Sequence, residues 1–187
     1  MTGASGSGKT ALVNHLRSSA ATPLDLALFQ FDSIGVPSPE VMVRDFGSGE
    51  NWQQAKTLEW IERISRDHLQ TRDVILEGQM RLSFIEEAVR RAGGGAQPSG
   101  VKIVLVDCTD AVRAHRLEVL RGQPELSNAD MRNWAAYLRR EAISGGHAII
   151  DTSEMSVAEA AAQALKLLTD QSARTARIGF PRGAIEP

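Results

Sequence analysis

Four short apolar runs punctuate the chain, separated by longer stretches in which apolar residues recur every three or four positions. The runs are LALFQFD (26–32), DVILEG (73–78), VKIVLVD (101–107) and HAIID (147–151), each ending on or beside an acidic residue. Short aliphatic runs bounded by polar residues read as buried strands, and the 3.6-residue period between them reads as amphipathic helix. Trp52, Ala55, Leu58, Ile61, Ile64 and Leu69 keep that period through a helix of roughly 50–70. Ser38 followed by Pro39 opens a shorter helix to about Phe46, closed by Gly47, since proline suits the first helical turn and glycine the residue past the last. Ser83 with Glu86, and Ser156 with Glu159, have the spacing of a capping box. Further helices are expected at 110–121 and 128–143. This alternation predicts an α/β fold with a parallel sheet flanked by helices. The carboxyl ends of parallel strands line one crevice, so Asp32, Glu77, Asp107 and Asp151 are expected at one edge of the molecule. The periodic region ends near residue 170, giving one domain over 1–170 and a loosely ordered tail over 171–187.

The first ten residues carry the most specific chemistry. Gly3, Ala4, Ser5, Gly6, Ser7, Gly8, Lys9 and Thr10 spell GASGSGKT, which fits GxxxxGK[ST], a loop whose backbone N–H groups turn inward around phosphates. A helix starting at Lys9 aims the positive end of its dipole at the same point. Lys9 is expected to reach the outer phosphates, and Thr10 to offer its hydroxyl to a phosphate-bound magnesium ion. The nucleotide-binding set is therefore Gly3 through Thr10 with Ala11. A strand normally leads into such a loop, yet only Met1 and Thr2 precede Gly3; the expectation is a first strand truncated at the N-terminus.

Composition narrows the partners. A length of 187 residues suits one domain, and a formal net charge of −2 disfavours a general nucleic-acid surface. Lysine occurs only at Lys9, Lys56, Lys102 and Lys166, so most cations are guanidinium groups suited to bidentate phosphate contact. Cys108, the only cysteine, falls in an apolar run and reads as a small buried hydrophobe. His15, His68, His115 and His147 lack metal-ligand spacing. No apolar run approaches the roughly 20 residues that span a bilayer and no signal pattern opens the chain, so a cytoplasmic protein without a membrane partner is expected. The DSIG at 32–35 matches a loose GTPase pattern, but no lysine follows an asparagine, which leaves out the guanine-reading element.

Over residues 1–168 the chain resembles the P-loop kinases of the nucleoside, nucleotide and small-molecule group, relatives of adenylate, shikimate and gluconate kinases and chloramphenicol phosphotransferase. GASGSGKT carries most of the resemblance; VILEG, VDCTDAVRAHRLEVLR and AIIDTS follow in the family's order. The resemblance implies a P-loop NTPase three-layer α/β/α fold with strand order 2-3-1-4-5, ATP and Mg2+ as cofactors, and transfer of the γ-phosphoryl group to a small-molecule hydroxyl or phosphate. It implies Asp32 as the carboxylate beside the acceptor hydroxyl, Glu77 as a magnesium-positioning acid with Thr10, and Arg116 and Arg121 as lid-entrance arginines on adenine and phosphates. Arg113 substitutes if that register slips. Residues 151–153 fall where relatives contact adenine through backbone, and 33–60 where they bind acceptor, with Arg44, Asp45, Gln79 and Arg81 as further contacts. Trp52 reads as core, and Arg132 and Arg139 as a solvated helix face. Two alternatives stay open: a nucleotide-gated ATPase or adaptor, and a kinase for the 5′-hydroxyl of a polynucleotide.

Overall fold

A computed structural model describes residues 1–19, 26–69, 71–95 and 100–169. The tail expected over 171–187 lies outside these. The described chain runs α1 (Lys9–Ser18), β1 (Leu26–Gln30), α2 (Pro39–Phe46), α3 (Gly49–Asp67), β2 (Asp73–Glu77), α4 (Leu82–Ala92), β3 (Val104–Asp107), α5 (Asp110–His115), α6 (Ala129–Ser144), β4 (Ala148–Asp151) and α7 (Val157–Thr169). Single 3₁₀ turns follow β1, at Phe31–Ile34, and precede α6, at Pro124–Leu126; a π-helical stretch, Arg116–Leu120, continues α5.

The strands pair in parallel, β1 with β2 (Leu26 opposite Asp73 through Gln30 opposite Glu77) and β3 with β4 (Val104 opposite Ala148 through Asp107 opposite Asp151). Thr2 lies between the pairs, bridging to Gly78 on one side and Leu105 on the other. Its amide donates to Val104 O at 2.9 Å and its carbonyl accepts from Val106 N at 2.8 Å, while Met1 O accepts from Gly78 N at 3.2 Å. The Thr2 hydroxyl reaches sideways, accepting from Met80 N at 2.9 Å. Two parallel ladders joined through one bridging residue therefore stand where a continuous five-stranded sheet was expected; the α/β character with parallel strands holds.

Alternation along the strands sorts the core onto both faces, because successive side chains of a strand point oppositely. Leu76 and Leu105 pack with Phe31, Trp52, Trp60, Ile85 and Leu138 beneath α3, α4 and α6. Ile75, Val104, Val106 and Ile150 pack with Leu12, Val13, Leu16 and the alanines of α7 on the other face. Trp52 is core, as its helical spacing implies. An apolar cavity of about 200 Å³ lies between β2 and β3 beside Met1.

The helix signals resolve unevenly. Gly47 closes α2 in the left-handed region at φ 81°, and Ser156 with Glu159 forms the reciprocal box: Ser156 N donates to Glu159 Oε2 at 2.8 Å and Glu159 N to Ser156 Oγ at 3.2 Å. Ser83 does not cap α4. That helix starts at Leu82, and the carboxylate that meets its first turn is Glu141 of α6, accepting from Leu82 N at 2.9 Å and Ser83 Oγ at 2.7 Å. A charged acceptor from a packed neighbour outcompetes the local glutamate, because a carboxylate at a helix N-terminus gains from the dipole as well as from the hydrogen bonds. β1 also ends two residues early, and Phe31, 1% exposed, turns inward with its carbonyl accepting from Trp60 Nε1 at 3.1 Å.

Gly78 marks a close approach between the ends of β1 and β2: a Cβ there would stand 2.4 Å from Phe31 Cβ. Phe31 is locked in the core and its Cβ cannot swing aside. Gly78→Ala is expected to destabilise by roughly 1–3 kcal/mol through overpacking, read as a Tm lowered by about 3–10 °C in a thermal melt; an unchanged Tm refutes the tight contact.

Candidate functional site

Residues 3–8 form a glycine-rich loop between the Thr2 bridge and α1. Gly6 and Gly8 take φ of 78° and 94°, a backbone region that L side chains rarely adopt. Gly8 is the N-cap of α1 and no side chain caps the helix. The first intrahelical bond, Leu12 N to Gly8 O at 3.0 Å, leaves the N–H groups of Lys9, Thr10 and Ala11 without an acceptor inside the helix. An anion is the natural complement of such an end.

Lys9 is 7% exposed. Its Nζ donates to Gly3 O at 2.7 Å and to Ala4 O at 3.1 Å, so the side chain folds back across its own loop with one of its three donors left for another partner. Burial lowers its pKa to about 8, opposed by the nearby carboxylates of Glu77 and Asp32. Glu77, at the end of β2 and 5% exposed, accepts from Thr10 Oγ1 at 3.2 Å and from Gln30 Nε2 at 3.4 Å. Asp32 is exposed on the 3₁₀ turn after β1. Ser5, Gly6, Gly8, Lys9, Thr10, Ala11, Asp32, Glu77, Arg116 and Arg121 all line one open cleft of about 590 Å³. Gly3 and Ala4 contribute the carbonyls that hold Lys9, and Ser7 O accepts from Thr152 Oγ1 at 2.8 Å. These three lie behind the cleft.

The π-helical stretch after α5 positions the arginines. Arg121 N donates to Arg116 O at 3.0 Å, a five-residue step that stacks residues 116 and 121 on one face of a widened turn. Arg116 is half-buried and committed: Nη1 donates to Thr152 Oγ1 at 2.8 Å and Gly6 O at 3.3 Å, and Nη2 to Thr152 O at 2.8 Å. It clamps the loop to the residue after β4. Arg121 is exposed.

Four other sequence expectations change. Asp107 and Asp151 end β3 and β4 at the same edge as Glu77, as expected, but do not line the cleft. Asp107 is buried and accepts from Arg113 Nη2 at 2.9 Å and Arg139 Nη1 at 2.8 Å, and Asp151 accepts from the Ser153 hydroxyl at 2.5 Å, which with Ser153 N at 3.0 Å holds its carboxyl below the usual range. Arg113, 3% exposed, is thereby a buried ion-pair partner and no substitute for Arg116. Arg139 belongs to the same ion pair, not to a purely solvated face; Arg132 is exposed as expected. Arg44 and Asp45 pair with one another on the exposed side of α2. Cys108 is buried, and burial raises its thiol pKa.

Three residues gain roles their local sequence does not signal. Gln79 Nε2 donates to Ser5 Oγ at 3.1 Å and its Oε1 accepts from Trp134 Nε1 at 3.1 Å, linking the loop to α6. Arg81 lies over the rings of Phe84, Trp134 and Tyr137 at 5.2–5.5 Å and bonds Gln53 and Glu50, so it belongs to the wall and not to the opening. Thr152 holds Arg116 and Ser7 through its hydroxyl, where only backbone contact was expected. Partners lying 28 to 145 residues away in the chain leave no spacing signal.

Among the described residues no group of three or more His, Cys, Asp or Glu side chains could hold a metal. At the cleft the Thr10 hydroxyl and the Glu77 carboxylate meet at 3.2 Å. An all-oxygen pair with room for water fits Mg2+ and not zinc. No helix among the described residues is long and apolar enough to cross a membrane. Comparison of the chain with models of known protein families gives no match, and comparison with curated proteins gives none.

Proposed function

We propose that this chain is an ATP-dependent P-loop phosphotransferase that moves the γ-phosphoryl group to a small acceptor. One observation carries the reading: the GASGSGKT loop opens an uncapped helix, and Lys9, the Thr10–Glu77 pair and Asp32 converge with it on a single cleft. The pairing sequence β1, β2, Thr2, β3, β4 supports a kinase-type sheet, matching the order 2-3-1-4-5 when the Thr2 position is counted as the first strand. The loop amides and Lys9 would bind the polyphosphate, and Arg121, exposed at the rim, would neutralise charge on the transferred group. Thr10 and Glu77 would hold magnesium, which when bound supplies charge neutralisation on the outer phosphates. Asp32 would accept the proton of an acceptor hydroxyl as its oxygen bonds to the γ-phosphorus and the β–γ bridging bond breaks, releasing ADP.

Calorimetry with ATP and MgCl2, followed by a search for phosphorylated products in a metabolite pool, tests it. Saturable heat and an ATP-dependent product are expected. An absence of heat with either purine triphosphate overturns the proposal, whereas tight ATP binding without transfer to any acceptor points to the nucleotide-gated ATPase or adaptor.

The binding should depend on pH with a definite sign. Lys9 of the free protein loses its proton near pH 8, and a polyphosphate beside it raises that value. Binding then takes up a proton above pH 8, so ATP affinity is expected to fall as pH rises past 8, by up to about tenfold per unit. Titrations at pH 7, 8 and 9 check it; affinity independent of pH contradicts the contact between Lys9 and the nucleotide.

A further inference from the structure

The charges lining the cleft are divided by side. The strand order places the ends of β1 and β2 on one side of the glycine-rich loop and the residue following β4 on the other. On the β4 side stands Arg116, tied to Thr152, and Arg121 follows it one π-helical turn on, its amide bonded to Arg116 O. On the β1–β2 side the cleft is lined by Gln30, Phe31, Asp32, Glu77, Gly78 and Gln79, with two carboxylates, two amides and no lysine or arginine. Lys9 stands between the two sides, within the fields of Glu77, Asp32 and Arg121.

Three described cations of the segments that follow β1 and β2 in the chain, Arg44, Lys56 and Arg81, are already paired. Arg81 is enclosed by three aromatic rings and bonded to Gln53 and Glu50. Arg44 pairs with Asp45, and Lys56 with Glu59. An anionic group brought to the β1–β2 side would meet the carboxylates of Asp32 and Glu77, with no lysine or arginine among the described residues that line that side, and like charges repel. Magnesium held at Thr10 and Glu77 would offset one carboxylate and leave Asp32. Sites that take phosphate-bearing ligands place arginine or lysine against them, and here Arg116 is bonded to Thr152 on the other side, with Arg121 on the π-helical turn that follows it.

We infer that the acceptor is a hydroxyl group on an uncharged or amine-bearing small molecule, and that phosphate-bearing acceptors are excluded by the carboxylates of the β1–β2 side. The inference rests on the phosphotransferase reading and sharpens it. It also sets aside the 5′-hydroxyl of a polynucleotide, whose backbone brings phosphates to the same wall. Triphosphate lies toward the arginines and Lys9, the alcohol lies against Asp32, and the phosphoryl group passes between them. Asp32 keeps the transferred proton as the new ester forms and ADP leaves.

The test offers the full chain ATP and MgCl2 with four acceptor sets: neutral polyols, amino alcohols and amino sugars, sugar phosphates, and nucleoside monophosphates. Products are read by mass and ATP binding by calorimetry on the same sample. Products are expected only from the first two sets, with kcat/KM at least about a hundredfold above that of any anionic compound. Preferred transfer to a phosphate-bearing compound overturns the inference while the phosphotransferase reading stands. ATP binding with no product from any set overturns both, and no ATP binding removes the nucleotide site itself. A second readout is the Asp32→Asn protein, in which the discrimination in KM between a neutral acceptor and its phosphorylated counterpart should narrow about tenfold. Unchanged discrimination overturns the role assigned to Asp32 in excluding anions.

Discussion

Lys9→Met is expected to weaken ATP binding at least about a hundredfold while leaving a folded protein. Methionine keeps the length and apolar stem of lysine and loses only the ammonium, which lies at the glycine-rich loop and lines the cleft. In the free protein that ammonium is held by Gly3 O and Ala4 O and buried at 7% exposure, where its charged form is disfavoured. The folded pKa of about 8 lies below the ordinary 10.5, so between these values the unfolded chain binds more protons than the native one and stability rises with pH. The full gap is worth on the order of 3 kcal/mol. Wild type should therefore gain stability against urea from pH 8 toward pH 10 relative to Lys9→Met, which lacks the titrating group. The comparison between the two proteins matters because the buried thiol of Cys108, with its raised pKa, works in the opposite direction above pH 9 in both. Calorimetry for binding and urea melts at three pH values measure the pair of effects. ATP affinity within a few-fold of wild type in Lys9→Met would falsify the assignment of Lys9 to the phosphates.

Asp32→Asn is expected to separate binding from transfer. The side chain is exposed on a turn that is closed by a backbone bond, Gly35 N to Asp32 O at 3.0 Å, so the amide should leave the turn in place and stability within about 0.5 kcal/mol. ATP affinity should stay within about threefold, because Asp32 lies on the β1–β2 side and the groups proposed to hold the phosphates lie in the loop. Transfer to an alcohol should fall by roughly 10²–10⁴, the usual contribution of a positioned base. Both constants come from one experiment, with calorimetry for ATP and initial rates for product. Full transfer by the variant removes Asp32 from the reaction and leaves it a turn residue.

The two substitutions probe sites of different legibility. Lys9 stands in an eight-residue string whose function is local, since loop amides, lysine and helix start are neighbours in the chain and need no partner to be recognised. Asp32 is named by its place after a strand, which is a weaker cue, and the same cue applied to Asp107 and Asp151 misleads. Asp107 and Asp151 end parallel strands and Asp32 follows one on a 3₁₀ turn, yet Asp107 is neutralised by Arg113 six residues on and Arg139 on another helix. No local pattern reports that, because an ion pair depends on which helix crosses the strand end.

What the sequence determined by itself is whatever short-range physics controls: four aliphatic runs that become strands, the α2 stop at Gly47, the reciprocal Ser156–Glu159 cap, and the glycine-rich loop with Lys9 and Thr10. Tertiary structure decided the remainder. It replaced Ser83's expected cap by Glu141, drew Arg113 into the core and Arg116 onto Thr152, and set Gln79 between Ser5 and Trp134. It left one residue, Thr2, to join two ladders. The physical reason is that backbone conformation answers to neighbours a few positions away, whereas a buried charge or amide must find its partner wherever packing brings one within hydrogen-bonding distance.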